Sequence, residues 1–279
     1  MRYVQAPQRG FTLIELVIVL ILVGVLGVLT VGLLVGNVGG YLDQQRRAEL
    51  VDQSDRALRR MVRETRHALP NSLRVNTCDG APCVEFLATE AGGRYRAGPG
   101  PAPVGGAPER RLRTNVTEDS FNAQGGLGVG NGSYDWFVSV YNTGQPGANA
   151  WDQTEPGSMT LTRGVTLAAD PDVPEETRIT LAQPFRFALE SPRQRFFLVS
   201  GPVAFVCEGG QLLRYAGYEP GQTHSAGTGN PLSGDVEDCR FSYQAGTSSR
   251  AALLSLELVL ARDGERVRLL HQVHVDNAP

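Results

Sequence analysis

The most constraining feature of the sequence is an apolar run close to its N-terminus. Residues 16–35 contain no proline and no charged side chain. About twenty residues in a helix extend roughly 30 Å, which matches the thickness of the hydrocarbon core of a bilayer. A single segment in lipid satisfies its backbone hydrogen bonds only as a helix. We therefore predict a transmembrane helix over this run.

A secretory signal peptide is the alternative interpretation of the run. Such a peptide has a shorter apolar region that ends at a cleavage site of small residues. The run is long here, and no site of that kind follows it. The preceding Arg2 and Arg9 fit either interpretation. Length and the missing cleavage site favour a retained helix.

Glu15 is the unusual residue of this segment. A carboxylate in a membrane helix costs about 3 kcal/mol on insertion scales unless it is paired or protonated. An acid at this position therefore indicates a function. The alternative is a residue that lies at the level of the lipid headgroups and is merely tolerated.

The residues around Glu15 form the motif GFTLIEL over residues 10–16. This motif resembles the class III signal of type IV pilins and type II secretion pseudopilins. The resemblance implies that a prepilin peptidase cleaves after Gly10 and N-methylates the new terminal residue, Phe11. It also implies that the Glu15 carboxylate pairs with the Phe11 amine of a neighbouring subunit. A charge pair in lipid costs less than either charge alone, so the chemistry agrees.

A second helical segment follows the apolar run. Residues 36–40 read GNVGG, and because each glycine weakens a helix by about 1 kcal/mol we expect a bend or a melted turn there. Apolar residues then recur at steps of three and four up to Leu69, and arginines occupy much of the other face. Pro70 disfavours helical geometry at Leu69, so we expect the helix to end there.

The four cysteines fall into a close pair and a distant pair. We favour two disulfides, Cys78–Cys83 and Cys207–Cys239, formed in an oxidising compartment. Zinc is the alternative, but neither pair has a second Cys or His close in sequence, so we predict no metal site. Disulfides place the bulk of the chain outside the cytoplasm.

Composition and motifs exclude several functions for this 279-residue chain. The net charge of −3 gives no electrostatic field for binding nucleic acid. All 26 basic residues are arginine, which rules out a phosphate-loop lysine and a Schiff-base lysine. No nucleophile-elbow, zinc-protease or phosphate-loop motif is present in the sequence. We therefore predict a protein that is not an enzyme and has no cofactor.

The remainder of the chain is predicted to be rich in strands. Residues 254–260 and 267–275 alternate apolar and polar positions around the turn Asp263-Gly264, which indicates an antiparallel hairpin with one buried face. His271 falls on the apolar face and His274 on the other, so one metal cannot bind both. The other strand candidates are residues 136–141, 159–162, 178–181, 196–200, 203–207, 212–215 and 236–243.

Loops are predicted where glycine and proline concentrate. These loops are residues 92–108, 125–132 and 217–234. The acidic residues 170–176 lack the spacing of a calcium-binding EF-hand, so we expect a solvated loop there. The fold class is therefore α+β: a long N-terminal helix, half of it transmembrane, packed on an antiparallel β-sheet domain.

The order of these parts resembles that in a narrower group, the large minor pilins. Two kinds are similar: the MshO kind, which belongs to MSHA-type pili, and the PilW kind. The matching segments are the strand with Cys207, Leu213-Arg214-Tyr215, the strand with Cys239, and the ending after His271. The resemblance implies a leader (residues 1–10), a transmembrane helix (11–36), an amphipathic helix (37–69) and an extracytoplasmic pilin domain (70–279).

The function that this resemblance implies is that of a minor type IV pilin that initiates, caps or supports filament assembly. The expected partners are other pilin subunits, through the N-terminal helix, and the prepilin peptidase. The expected locations are the inner membrane, with the C-terminal domain in the periplasm, and then the pilus. The alternatives are a pilus-tip adhesin that contacts a surface ligand with the loops of residues 92–132, and a type II secretion pseudopilin.

Overall fold

The computed structural model describes residues 10–99, 111–246 and 251–279, without the side chains of residues 31–39. It divides into two compact units, Met1–Glu49 and Leu50–Pro279, which we treat separately. An apolar N-terminal helix is followed by a large antiparallel sheet domain. The predicted α+β class is confirmed, with most of the structure in sheet.

Helix α1 runs over Leu13–Thr65 without interruption. The glycines of residues 36–40 lie within the helix and no turn is melted there, since glycine lowers helix propensity without removing any backbone donor or acceptor. The helix also ends before the expected Leu69. The residues that follow the helix are hydrogen-bonded to strand β2 of the sheet: Leu69 N donates to Leu87 O at 2.7 Å, and Thr89 N donates to His67 O at 2.9 Å.

Thirteen strands follow the helix in the described part of the chain. They are β1 Arg74–Cys78, β2 Ala81–Tyr95, β3 Glu118–Gln124, β4 Gly132–Tyr134, β5 Phe137–Val140, β6 Val165–Ala169, β7 Glu176–Phe185, β8 Arg195–Glu208, β9 Gln211–Ala216, β10 Thr228–Ser233, β11 Val236–Gln244, β12 Ala252–Arg262 and β13 Glu265–Val275. A short 3₁₀-helix, His224–Ala226, lies between β9 and β10.

The strands form two antiparallel sheets. The larger sheet has 10 strands, with the main order β10-β9-β8-β2-β3-β7-β6-β4, while β1 pairs with β2 and β5 pairs with β8. The smaller sheet has the order β11-β12-β13. The central pair of the larger sheet is β2 and β8, which pair from Cys83 opposite Val206 to Arg94 opposite Arg195, with a shift of register on each side of Thr89.

Residues 50–65 of α1 and both sheets share the main core. Leu50, Leu58 and Met61 of the helix are fully buried. They join Phe86 and Phe205 of the larger sheet and the leucines of β12 in one cluster. The amphipathic stripe predicted for this part of the helix therefore faces a core formed by two sheets.

The C-terminal hairpin has the predicted register and turn. Leu254 pairs with Val273, Leu258 with Leu269 and Leu260 with Val267, around the turn that contains Asp263 and Gly264.

The two histidines of β13 lie on opposite faces, as their spacing indicated. His271 lies opposite Leu256 and is half-buried, with Nε2 at 3.5 Å from Asp55 Oδ1. His274 is exposed.

Several predicted loops are strands instead. Strand β2 continues through Gly92 and Gly93. Glycine is needed at residue 93, because a Cβ there would lie 2.6 Å from Leu127 Cδ2 and 3.0 Å from Phe196 Cε1. These glycines let side chains approach the strand and do not break it. Strand β8 likewise runs unbroken through Gly201 and Pro202, and residues 217–234 contain the 3₁₀-helix and β10. The greater part of the predicted loop of residues 92–108 lies outside the described residues.

The strand candidate at residues 159–162 is wrong, since Met159 makes only an isolated bridge with Ser139. The candidate at residues 178–181 is the middle of the longer strand β7. Strands β3 and β6, which sequence patterns did not indicate, pair with the two sides of β7.

The acidic segment of residues 170–176 contains the expected loop, with residues 171–175 mostly exposed, but the two acids at its ends are not solvated. Asp170 and Glu176 are buried, and Asn122 Nδ2 donates to both carboxylates at 2.9 Å. Arg178 pairs with Asp170, and Arg96 pairs with Glu176. Two arginines and an amide thus neutralise and fix the two acids between β3 and β7.

Candidate functional site

The N-terminal segment holds the residues that the motif singles out. Gly10 and Phe11 precede the helix, and Phe11 is exposed. Thr12 caps the helix, since its Oγ1 accepts a hydrogen bond from Glu15 N at 3.3 Å. The spacing of Thr12 and Glu15 is that of a capping box, in which a first-turn acid also faces the positive end of the helix dipole. Glu15 thus lies in the first turn of α1.

The side chains that follow Glu15 form an apolar surface with no protein covering it. The helical window Leu13–Thr30 has a mean hydropathy of 2.9, and none of it is buried. Apolar surfaces of this extent in a protein mark contact with lipid or with other proteins. In the part of the chain that the structure describes, this is the one helix long and apolar enough to cross a membrane.

Glu15 is the single charged residue between Phe11 and Leu42 in the sequence. Its side chain is exposed on the same stretch of helix as the apolar residues. A glycine and an aromatic residue therefore precede a first helical turn that carries a lone carboxylate, at the start of a long exposed apolar surface.

The four cysteines form two disulfides in the unit Leu50–Pro279. Cys78–Cys83 closes the turn between β1 and β2, while Cys207–Cys239 joins β8 of the larger sheet to β11 of the smaller sheet. Among the described residues there is no free cysteine. The described residues also contain no group of three or more His, Cys, Asp or Glu side chains that could hold a metal ion.

These features define a membrane-anchored protein whose first helix begins with a capped, acidic turn. Residues 6–31 match a family model described as the prokaryotic N-terminal methylation motif. The chain therefore carries a class III signal of the type IV pilin kind, which supports a pilin or pseudopilin. Neither a curated protein nor a solved structure gives a significant match to the chain.

The motif has coarse consequences for chemistry and partners. It suggests a structural protein that is not an enzyme, that is processed by a prepilin peptidase, and that contacts other pilin subunits. Together with the apolar helix, it supports anchoring in a membrane.

Sequence reasoning did not identify the role of Thr12. The signal was present, because a threonine three residues before a glutamate at the start of an apolar run is typical of a capping box. The cap gives Glu15 a second role beside any pairing with a neighbour, since an acid in the first helical turn also stabilises the helix that carries it.

Proposed function

We propose that this protein is a minor type IV pilin of an MSHA-type pilus, which enters the filament and initiates, caps or supports its assembly. One observation carries the proposal: the methylation motif of residues 6–31 overlaps the exposed apolar segment Leu13–Thr30 of α1, in which Glu15 is the lone charge. A helix of this composition anchors the precursor in the membrane and the finished subunit among other apolar helices.

Cleavage after Gly10 would give the chain a new N-terminal amine at Phe11. Methylation keeps that amine basic, so it remains a cation. A cation and the Glu15 carboxylate of a neighbour form a charge pair that lowers the cost of placing both in an apolar medium. Such pairing would set the axial position of each new helix relative to the last one.

The unit Leu50–Pro279 would lie in the periplasm before assembly and on the pilus surface afterwards. Its two disulfides fit an oxidising compartment.

A pseudopilin of the type II secretion system carries the same signal, and its helix would work in the same way. The location of the subunit therefore separates these two proposals. A pilus-tip adhesin is the remaining alternative.

The proposal is tested first by the mature N-terminus. Mass spectrometry of the protein purified from its native membrane should show N-methylated Phe11 as the first residue. Gly10→Ala should leave precursor uncleaved if the peptidase needs the close approach that glycine allows. Gly24→Ala is the matched control, because Gly24 lies in the apolar helix with open space around it. An intact Met1 in the wild type would refute the proposal.

A second measurement distinguishes a pilin from a pseudopilin. Antibody against the unit Leu50–Pro279 should label sheared pili as well as membranes. Labelling that stays in the membrane fraction in a piliated cell would favour the secretion pseudopilin.

A further inference from the structure

Two arginines lie directly opposite each other on the central strands of the larger sheet. Arg94 of β2 pairs in register with Arg195 of β8, and on its other side Arg94 is opposite Gln124 of β3. Residues that are opposite each other in antiparallel strands project from the same face, with Cβ atoms about 5 Å apart. Because like charges in such positions destabilise a sheet, the arginine pair requires an explanation.

No acidic side chain neutralises this pair. Among the residues that the structure describes, no aspartate or glutamate forms an ion pair with Arg94 or Arg195, and Arg94 is exposed without a hydrogen-bond partner. The acid in the same row of the sheet is Glu176, which lies opposite Gln124 and already pairs with Arg96. The arginines therefore carry charge that the side chains around them do not balance.

The guanidinium of Arg195 is only partly satisfied. Its Nη2 donates to the carbonyl oxygen of Pro279 at 3.1 Å, while its Nε is buried and has no hydrogen-bond partner in the described part of the chain. Most buried polar groups in proteins have a partner, so an unsatisfied one on a charged side chain needs a reason. Most of the hydrogen-bonding capacity of Arg195 thus remains unused.

Buried hydrogen bonds fix the backbone that carries Arg195. Arg195 N donates to Ser191 Oγ at 3.0 Å, and Ser191 N donates to the Tyr95 hydroxyl at 2.9 Å. Ser191 and Tyr95 are both buried, and Tyr95 N donates to Gln194 O at 2.8 Å. The register that sets the two arginines side by side is therefore built into the fold, and such preorganisation lowers the entropic cost of binding a ligand.

Gln124 adds a neutral donor to the arginine pair. Its side chain is exposed and makes no hydrogen bond within the described residues. Because adjacent strands are about 4.8 Å apart, the row of Arg195, Arg94 and Gln124 spans about 10 Å across three strands. Two cations and an amide thus face the same side of the sheet.

These properties select an anion as the ligand. Two arginines repel a metal ion, and an uncharged molecule would leave their mutual repulsion in place. Guanidinium groups match the oxygens of carboxylates and phosphates. A carboxylate carries one charge and two oxygens, whereas a phosphate group carries up to two charges at neutral pH and has three or more oxygens. A tetrahedral oxyanion therefore matches two cations and a third donor better than a carboxylate does.

We infer that Arg94, Arg195 and Gln124 bind a tetrahedral oxyanion, phosphate or sulfate, either free or as a group on a larger molecule. Each guanidinium donates to the anion, and the Gln124 amide donates to a remaining oxygen. The bound anion also removes the repulsion between the two arginines. The inference does not depend on the methylation motif, because all three residues belong to the unit Leu50–Pro279.

The first test is isothermal titration calorimetry of the full chain in detergent with inorganic phosphate, at low ionic strength to limit screening. Sulfate, acetate and glycerol phosphate are titrated in parallel, and we expect phosphate and sulfate to bind more tightly than acetate. Arg94→Gln should weaken phosphate binding about 10- to 100-fold, the effect of losing charge-assisted hydrogen bonds. Arg94→Lys should lie between this variant and wild type, because lysine keeps the charge and loses the planar fork.

Glycerol phosphate distinguishes the two sources of the anion. Binding of glycerol phosphate as well as inorganic phosphate would support a phosphate group on a larger molecule. Binding of the inorganic anions alone would support a site for the free anion. Arg240→Gln is the matched control, because Arg240 is an exposed strand arginine that pairs with Asp238 at 3.1 Å. Phosphate binding should not change in this control.

Urea denaturation gives a second readout, which separates a binding arginine from a structural one. Without phosphate, Arg94→Gln should raise the urea midpoint, since it removes the repulsion from Arg195. Phosphate should then raise the midpoint of the wild type more than that of the variant, because a ligand stabilises the state that binds it. A lower midpoint for Arg94→Gln without phosphate would show that Arg94 stabilises the fold, and would overturn the inference.

Three binding results would also overturn the inference. The first is a wild type that binds neither phosphate nor sulfate, and the second is phosphate binding that Arg94→Gln leaves intact. The third is acetate binding as tight as phosphate binding, which would assign the pair to carboxylates. Binding of a DNA duplex without binding of phosphate or glycerol phosphate would assign the pair to nucleic acid and would refute the inference as well.

Discussion

At the scale of single residues, Glu85 shows how a buried charge is kept in the larger sheet. The Glu85 side chain is nearly inaccessible, and it is held by Arg74 on one side and by Tyr218 on the other. Replacing one partner of such a group leaves the others unsatisfied, which costs more than the bond itself. The burial of the Glu85 carboxylate therefore depends on both Arg74 and Tyr218.

The Tyr218 hydroxyl predicts how stability depends on pH. Burial, together with the nearby charge of Glu85 and the hydrogen bond to it, raises the pKa of Tyr218 well above the usual value of about 10. In the unfolded chain the phenol loses its proton near pH 10, whereas in the folded chain it keeps it. The stabilisation is therefore complete below about pH 10 and falls above it, by up to about 1.4 kcal/mol per pH unit.

Denaturation of the full chain in detergent tests this prediction. The midpoint in urea, followed by tryptophan fluorescence, should fall between about pH 9 and about pH 11. Tyr218→Phe should be less stable at about pH 8 by about 1–3 kcal/mol, and should lose less stability on going to high pH. Because burial also raises the pKa of Tyr95, some alkaline loss should remain in the variant. An unchanged alkaline loss in Tyr218→Phe would contradict the assignment.

At the scale of elements, residues 50–65 of α1 hold the two sheets of the unit Leu50–Pro279 together. Leu58 is fully buried among side chains of both sheets, whereas Val51 on the same helix is 41% exposed. Leu58→Ala should destabilise the unit by about 2–5 kcal/mol, since it removes apolar contacts and leaves a cavity. Val51→Ala should stay within about 0.5 kcal/mol of wild type. Equal losses would show that the helix is not central to this core.

The disulfides connect elements over different lengths of chain. Cys207–Cys239 spans 32 residues and links the two sheets, so the chain-entropy relation gives about 3–4 kcal/mol of stabilisation. Cys78–Cys83 spans 5 residues, for which the same relation gives about 2 kcal/mol.

Double alanine variants of each pair, compared by urea denaturation, should show the larger loss for Cys207–Cys239. Thiol titration of the native protein should find no free thiol. A larger loss for the short loop would mean that Cys78–Cys83 acts chiefly on the native state, by holding the turn that carries Asp79.

Local patterns in the sequence predicted some elements and missed others. The alternating leucines of β12 and the turn at Asp263-Gly264 were sufficient for the C-terminal hairpin, because both signals are local. The sequence around Gly92 and Gly93 predicts a loop, because the contacts that require glycine there come from Leu127 and from the aromatic rings of β8, far away in sequence. The sequence likewise predicts solvated acids at Asp170 and Glu176, since the partners Arg96 and Asn122 come from distant parts of the chain.

At the scale of the whole molecule, the N-terminal site and the surfaces of the unit Leu50–Pro279 differ in how far the sequence predicts them. The N-terminal site lies within residues 6–31, so a motif identifies it directly. In the unit Leu50–Pro279, by contrast, a cleft of about 230 Å³ is lined both by residues near Asn76 and by residues near His224, and no spacing rule joins positions so far apart. A local motif can therefore indicate how a chain of this kind is anchored and processed, whereas its binding surfaces are visible only in the folded structure.

The lone acid of the membrane segment gives the last prediction, which concerns assembly. We expect Glu15→Ala and Glu15→Gln to leave the unit Leu50–Pro279 folded, because Glu15 lies in the other compact unit. Membrane insertion should not be impaired, since removing a charge from an apolar segment favours insertion. Incorporation into filaments should fall in both variants, because the neighbour's Phe11 ammonium would lack its partner in an apolar medium, at a cost of several kcal/mol.

The two substitutions also separate pairing from helix capping. Both variants keep the hydrogen bond from the backbone N–H of residue 15 to Thr12 Oγ1. Glutamine also keeps a side chain that can complete a capping box and removes only the charge, whereas alanine removes both the charge and that side chain. Asp43→Asn is the matched control, since Asp43 is the next carboxylate along α1 and pairs with Arg46 outside the apolar window. The measurement is the ratio of subunit in sheared pili to subunit in membranes for each variant. If Glu15→Gln enters filaments as well as wild type does and only Glu15→Ala fails, then Glu15 acts as a helix cap and the proposed pairing is wrong.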